Sequence, residues 1–238
     1  MTLRPKRLYL VRRNPSLTRE EFPGRWMRHG DLSLSFQAKQ GFANVYRYLL
    51  CPVMQPQSGK GPEHGGNGVA DGVGMLFFRD EAARERHHAS AAQRAAMEAD
   101  EDETFAERVN GTSLFVVEQV ALDGPLTPFL LTTVLRRRPH VTPQAFEAWW
   151  NDVHVHSVLR AAPALRRFVG NIPMEDGSGD LQADLIEELW FVSFEDLRRT
   201  LEDTAFAETR GALLEQCDVV SRLESEVRVL HDADPGPT

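Results

Sequence analysis

The chain has 238 residues, of which 42% are hydrophobic and 26% are charged, an ordinary composition for a soluble globular protein. Its formal net charge of −8 argues against nucleic acid as the main partner, because phosphate binding rests on basic surface. No apolar run is long enough to span a bilayer or form a signal-peptide core, so a cytoplasmic protein without membrane contact is expected. Cys51 and Cys217 are the only cysteines, which argues against a disulfide framework or a thiolate metal site.

The first half of the chain predicts the element order βαββαβ. Thr18 is a candidate helix N-cap, with Glu21 completing a capping box. The stretch 52–72 is rich in Pro and Gly and predicts either a mobile cover over a pocket mouth or plain disorder. The predicted strands are 7–12, 42–50, 71–78 and 113–122, and the predicted helices are 18–40 and 79–100.

The second half predicts the same order. Thr142 caps a helix that has Pro143 at its first position, where proline is favoured. The segment 175–179 predicts a short acidic loop, and the tail 232–238 predicts disorder. The predicted strands are 129–137, 165–172, 185–192 and 224–230, and the predicted helices are 142–160 and 194–217.

Each βαββαβ half is a ferredoxin-like unit, so the predicted fold class is α+β with two domains, 1–122 and 123–238. Such a sheet carries helices on one face only, and a second copy in the same chain is the obvious cover for the other face. The expected assembly is a monomer with an internal pseudo-dimer, or a homodimer.

The two halves repeat one motif at a fixed distance. An offset of 124 residues separates Phe22 from Phe146 and Trp26 from Trp150. Each aromatic pair precedes a histidine on the same helix face, His29 in the first copy and His154 in the second. These aromatic side chains are candidate walls of a substrate pocket, one in each half.

His154 is the preferred catalytic candidate. An imidazole in an apolar pocket can act as an acid or a base near neutral pH, and the alternative is a core histidine bonded to a backbone carbonyl. His29 is a weaker candidate, since it lies three residues after its tryptophan and His154 lies four residues after Trp150. Asp152 is a candidate to orient an imidazole from a neighbouring element, the alternative being a solvated helix charge.

Three further residues are candidate ligand contacts. Arg136 and Arg138 end a predicted strand, and they form either a solvated rim or a clamp for an anionic ligand such as a carboxylate or phenolate. His64 lies in the Gly-rich loop and reaches a ligand only if that loop closes. No metal site is predicted, because His154 and His156 are two residues apart and helical ligands need a spacing of three or four.

The motif resembles the EthD domain family, which belongs to the dimeric α/β-barrel superfamily. The resemblance covers nearly the whole chain, twice. In the first copy it rests on Asn14-Pro15-Ser16-Leu17-Thr18, Phe22, Trp26, His29-Gly30 and Asp71-Gly72-Val73. In the second copy it rests on Arg138-Pro139, Val141-Thr142-Pro143, Phe146, Trp150, His154 and Glu188-Leu189-Trp190-Phe191.

The resemblance implies a fold and a kind of pocket rather than a reaction. Relatives in the superfamily include cofactor-free oxygenases, dehydratases, decarboxylases, cyclases and isomerases, and others bind haem. The favoured hypothesis is a cofactor-independent lyase or isomerase that acts on a hydrophobic, aromatic or polyketide-like small molecule through His154. The alternatives are a non-catalytic binding protein of an oxidative degradation system and a cofactor-free monooxygenase. Haem bound through His154 is a further alternative.

Overall fold

The computed structural model describes residues 4–40, 44–54, 70–87, 90–174 and 181–233. Its strands are β1 (Pro5–Val11), β2 (Val45–Pro52), β3 (Gly72–Phe78), β4 (Ser113–Leu122), β5 (Phe129–Arg137), β6 (Arg167–Pro173), β7 (Leu185–Phe191), β8 (Cys217–Glu226) and β9 (Arg228–Asp232). Its helices are α1 (Phe22–Gln40), α2 (Glu81–Arg86), α3 (Ala91–Thr104), α4 (Pro143–Trp149), α5 (Val155–Ala161), α6 (Phe194–Glu202) and α7 (Thr204–Gln216). The α+β class is confirmed.

The nine strands form one antiparallel sheet that closes into a barrel. Their order is β8-β5-β7-β6-β4-β1-β3-β2-β9. The strands at the two ends of this order, β8 and β9, are separated in sequence by Val227 alone, so one nearly continuous segment pairs with β5 and with β2. Closure therefore occurs within a single chain. We call residues 4–122 the first half and 123–233 the second half.

Strand alternation divides the side chains between the barrel interior and the helices outside. The interior core is built from both halves and includes Leu8, Met75, Leu130 and Trp190. Outside the barrel, each half packs its own helices on its own strands, giving one core around Trp26 and another around Trp150. The two candidate pockets of the repeat thus lie on the outside of the barrel, between sheet and helix.

The predicted helix starts are confirmed by their caps. Thr18 and Glu21 form the capping box, in which the Glu21 N–H donates to Thr18 Oγ1 at 3.2 Å and the Thr18 N–H donates to Glu21 Oε2 at 2.9 Å. Thr142 Oγ1 accepts from the Ala145 N–H at 3.2 Å, with Pro143 in the first turn. Local capping chemistry therefore sets where both long helices begin.

Other element boundaries differ from the sequence-based expectation. The two long C-terminal helices predicted for the halves are each split in two, because Ser90 and Asp203 cap new helices inside them. The last strand segment begins at Cys217 rather than Glu224, since backbone pairing with β5 continues to Arg137. Only Cys217, Leu223 and Ser225 are buried along β8, so its sequence lacks the regular apolar alternation that indicates a strand.

The sheet register shows which residues of the two halves correspond. Tyr9 on β1 pairs with Gly74, and Thr133, 124 residues after Tyr9, pairs with Glu187. The equivalent positions thus hold a tyrosine and a glycine in one half, and a threonine and a glutamate in the other.

Candidate functional site

His154 is buried in the seam between the sheet and the helices of the second half. Its side chain is 2% exposed. Its Nε2 atom lies 2.9 Å from Glu187 Oε1, although the angles are not those of a hydrogen bond. Within the described part of the chain, neither ring nitrogen of His154 has a hydrogen-bond partner. Leaving a buried polar group unpaired is costly, so such a group in a folded protein calls for a reason beyond packing.

A π-helical turn positions this histidine. Residues Trp150–His154 form that turn between α4 and α5, whereas the corresponding part of α1 is continuous α-helix. The π turn adds one residue, so Trp150 and His154 are four residues apart where Trp26 and His29 are three apart. The spacing difference is thus an insertion in the second copy, and π turns occur frequently at functional sites.

Glu187 joins the histidine to the tryptophan. Its side chain is 4% exposed, and its Oε1 atom accepts a hydrogen bond from Trp150 Nε1 at 2.6 Å while lying 2.9 Å from His154 Nε2. Gly170 leaves the space for the Trp150 ring, since a Cβ there would come within 2.6 Å of it. Trp149 stacks on the imidazole, with 5.2 Å between ring centroids and 29° between ring planes.

Two cavities lie along this seam, and we call the one with His154 in its wall the inner cavity and the one with Trp150 in its wall the outer cavity. The inner cavity has a volume of about 20 Å³, which is room for one water molecule, and His154, Glu187 and Thr133 are in its wall. The outer cavity has a volume of about 100 Å³. It is lined by Gln119, Arg137, Pro143, Phe146, Glu147, Trp150, Ile172, Asp184 and Leu185.

The equivalent region of the first half is filled. The Tyr9 ring lies against Gly74, where a Cβ would come within 2.0 Å of it. Tyr9 Oη lies 2.7 Å from Tyr48 Oη and accepts from Trp26 Nε1 at 3.2 Å. Burial raises the pKa of Tyr9 well above its ordinary value and that of Tyr48 to about 12, so both phenols stay protonated at neutral pH.

His29, unlike His154, has a hydrogen-bond partner. Its Nδ1 lies 2.7 Å from Asp100 Oδ2, and Arg25 binds the same carboxylate at 2.6 Å. Burial lowers the pKa of His29 against an opposing effect of Asp100, so the neutral ring donates its Nδ1 proton to the carboxylate. The attraction of Arg25 and His29 outweighs burial and lowers the pKa of Asp100. His29 thus ties α1 to α3.

The other predicted contacts lie away from His154. Asp152 is exposed on the outer face of the π turn. Arg136 is exposed and donates to the Gln182 carbonyl at 3.4 Å, and Arg138 pairs with Asp218 at 2.7 Å on the surface. Their neighbour Arg137 reaches the outer cavity instead, paired with Asp184 at 2.9 Å. His64 lies outside the described residues, as do most of the Gly-rich loop, the acidic loop and the end of the tail.

The chain matches the model of a known protein family. The EthD domain model matches it twice, over residues 14–108 and 138–216. The chain belongs to the EthD domain family. The two matches cover the two copies of the motif, so the resemblance expected from the sequence is confirmed. A search of curated protein sequences finds no match to this EthD protein.

Solved structures share the fold of this EthD chain at low sequence identity. A candidate monooxygenase from Fusobacterium nucleatum is 9% identical, with a TM-score of 0.60 over 99% of this chain and 97% of that one. An anthrone oxidase-like protein is 14% identical, with a TM-score of 0.55 over 98% and 95%. A candidate chlorite dismutase is 8% identical, with a TM-score of 0.57 over 96% of each chain. These likenesses establish the dimeric α/β-barrel fold, here closed by one tandem chain.

The arrangement does not fit haem. An axial histidine needs a porphyrin-sized space before its ring nitrogen, and the cavity beside His154 has room for about one water. Among the described residues, no group of three His, Cys, Asp or Glu side chains is arranged to hold a metal ion. None of the described helices of the EthD chain is long and apolar enough to cross a membrane.

Sequence reasoning missed two members of the site. Glu187 carries the charge of the site, and Trp149 covers the histidine. The available signal was a pair of adjacent acidic residues, Glu187 and Glu188, inside an otherwise apolar strand, because charged residues are rarely buried without a partner. Trp149 was not selected because its neighbour Trp150 is the tryptophan that matches the family motif.

Proposed function

We propose that this EthD protein is a cofactor-independent enzyme of the lyase or isomerase type, with His154 as its acid–base group. The observation that carries the proposal is the buried imidazole with no hydrogen bond to described residues, beside a buried carboxylate and a cavity. The same molecule supplies a comparison, since the equivalent His29 is paired with Asp100. The substrate would be a hydrophobic, aromatic or polyketide-like small molecule, and its contact with His154 requires the inner cavity to widen, because that cavity of about 20 Å³ has room for one water.

The geometry supports a simple division of roles. His154 takes a proton from a carbon of the substrate, and Glu187 stabilises the imidazolium that forms, because its oxygen lies 2.9 Å from Nε2. In a dehydration the electrons of the broken C–H bond form a double bond as hydroxide departs, and His154 returns the proton to that oxygen, which leaves as water; in an isomerisation the proton returns to another carbon. In a decarboxylation no C–H bond is broken: carbon dioxide departs, its bonding pair stays on the substrate carbon, and protonated His154 donates the proton to that carbon. Trp150 holds Glu187 in place by its hydrogen bond.

The test compares His154→Ala with His29→Ala. A panel of hydroxylated aromatic acids and ketones is screened for turnover by chromatography, and both variants are then assayed on any substrate found. Proton transfer by a positioned side chain contributes a factor of about 10²–10⁴, so His154→Ala should lose that much while His29→Ala keeps its rate. Activity of His154→Ala within a few-fold of the parent would contradict the assigned role.

Two observations favour other functions. The space beside His154 holds only about one water, which favours a non-catalytic carrier that binds its ligand in the outer cavity. Ligand binding without turnover would support that function. The fold neighbours include proteins described as monooxygenases and as anthrone oxidase-like. Oxygen uptake with substrate and protein alone would support cofactor-free oxygenation of a phenolic compound.

A further inference from the structure

The outer cavity lies at a place that a tryptophan ring fills in the first half. There, the Trp26 ring rests on Gly72, where a Cβ would come within 2.5 Å of it. In the second half the sheet register puts Leu185 at the position of Gly72, and the Trp150 ring rests on Gly170 instead. Leu185 and Trp150 are both in the wall of the outer cavity. The space that Trp26 occupies in one half is therefore open in the other.

An ion pair in the wall of this cavity has a counterpart in the first half. Arg137 binds Asp184 at 2.9 Å and donates from Nη1 to the Val141 carbonyl at 2.8 Å. At the equivalent position of the repeat, Arg13 binds Asp71 at 2.7 Å. The pair itself is therefore a feature of the fold that both halves share. What distinguishes the second half is the open space beside it.

The guanidinium group of Arg137 keeps one nitrogen for a ligand. Its Nε and Nη1 atoms donate to Asp184 and to the Val141 carbonyl. Its Nη2 atom has no partner among the residues that the structure describes, and it stays accessible in a side chain that is 29% exposed. An arginine nitrogen can only donate, so this atom suits an acceptor oxygen. The ion pair holds the guanidinium group in place, which fixes the direction of the donor.

The size and the charges of the wall limit what can bind there. A closed apolar cavity of about 150 Å³ binds benzene, so a volume of about 100 Å³ with an open mouth suits one ring whose substituent lies at the mouth, and excludes fused rings. Phe146 and Trp150 supply aromatic surface for that ring. The charged residues of the wall are one cation, Arg137, and two anions, Glu147 and Asp184, which disfavours an anionic ligand. A neutral carbonyl oxygen meets both requirements.

We propose that the outer cavity binds a neutral aryl ketone or aldehyde with a single ring, and that Arg137 Nη2 donates a hydrogen bond to its carbonyl oxygen. The ring lies against Phe146 and Trp150. The inference goes beyond the proposed function, because His154 is not in the wall of this cavity and binding requires no reaction. Hydrogen bonds from charged groups are stronger than those between neutral groups, so the carbonyl should strengthen binding about tenfold over a hydrocarbon of the same shape.

The probes are acetophenone and α-methylstyrene, which have the same shape and differ in having C=O or C=CH₂. Each is titrated into the full chain, and binding is followed by the NMR signal of the Trp150 indole N–H. The parent should bind acetophenone about tenfold more tightly, and Arg137→Met should bind the two equally. Arg13→Met is the matched control, since it breaks the equivalent ion pair in the first half and should keep the preference. Ile172→Phe fills part of the cavity and should weaken the binding of both compounds alike.

The ratio of two affinities within one variant does not depend on the fraction of protein that is folded. Arg137→Leu provides a second removal of the donor if Arg137→Met does not fold. Equal binding of the two probes by the parent, no shift of the Trp150 signal with either, or a preference that survives without Arg137 would overturn the inference. Tighter binding of benzoate than of acetophenone would do so as well. Binding is measured without turnover, so a rate unchanged in His154→Ala would contradict the proposed function alone.

Discussion

Glu187 and Glu188 are neighbours on β7, yet their carboxylates lie on opposite sides of the barrel wall. Glu187 contacts His154 and Trp150 on the helix side. Glu188 accepts from Lys6 at 2.5 Å inside the barrel, and also from Asn171 and Trp190. The pull of Glu118 and Glu188 outweighs burial and raises the pKa of Lys6, so this cation is charged at neutral pH. Strand alternation thus separates a candidate chemical group from a structural ion pair one residue away.

Replacing each glutamate by glutamine should distinguish these roles. Glu187→Gln keeps an acceptor for Trp150, so the free energy of unfolding should change little while turnover falls about 100-fold. Glu188→Gln leaves the buried Lys6 with one carboxylate fewer and should destabilise the fold by about 3 kcal/mol. Urea denaturation and the assay of the proposed activity measure both effects. Equal stability losses in the two variants would mean that Glu187 is also structural.

His29 makes the stability of the protein depend on pH. Its pKa is lowered from 6.5 in the folded state, mainly by burial, so the unfolded chain binds the proton first as the pH falls. The free energy of unfolding should therefore decrease as the pH drops below about 6.5. His29→Asn should show a shallower decrease between pH 7 and 5, measured by urea denaturation. His140→Asn, at an exposed turn, is the control and should follow the parent.

At the level of elements, the helix that carries His154 differs from its counterpart by one residue. Capping residues, proline positions and strand alternation made most element bounds predictable, and β4 and β5 match the prediction to the residue. The π turn was not predictable, because its residues, Trp150–His154, suit an ordinary helix equally well. The longer spacing between Trp150 and His154 showed that the two copies differ in length by one residue at this point. Comparison of the two sequences alone could not say whether the second copy had gained a residue or the first copy had lost one.

Deleting one residue from the π turn should restore a continuous helix. Asp152 is exposed there, and without it Trp150 and His154 would be three residues apart, as Trp26 and His29 are. The variant should fold with an equal or higher Tm, since a regular α-helix replaces the π turn, but turnover should fall about 100-fold as the imidazole leaves Glu187. Deleting Arg28 from α1 is the control and should lower the Tm, because it shifts a regular helix out of register.

At the scale of the whole molecule, tandem duplication does more than cover an open sheet. The ferredoxin-like order of each half was readable from periodicity, but the closing contacts were not, because they join strands distant in sequence. Lys6 of the first half pairs with Glu188 of the second, and Gln119 lines the second half's cavity. The first half has Tyr9 and Gly74 at these positions, and the Tyr9 ring fills the space between sheet and helix. The second half has Thr133 and Glu187 at the equivalent positions, and there the space is a polar seam. We propose the boundary near Asp123 as a division of sequence only, since neither half is closed alone.

Closure by β9 predicts that the full chain is a monomer in solution. β9 covers β2, with Arg47 bound to Asp232 at 2.9 Å and Leu230 packed against the helix side of the first half. A chain that ends at Val227 would leave the edge of β2 unpaired, and exposed strand edges pair with other chains. Light scattering should show a monomer for the full chain and concentration-dependent association for the truncated one. A chain that ends at Ala233 keeps β9 and should stay monomeric; its association would show that closure by β9 does not control assembly.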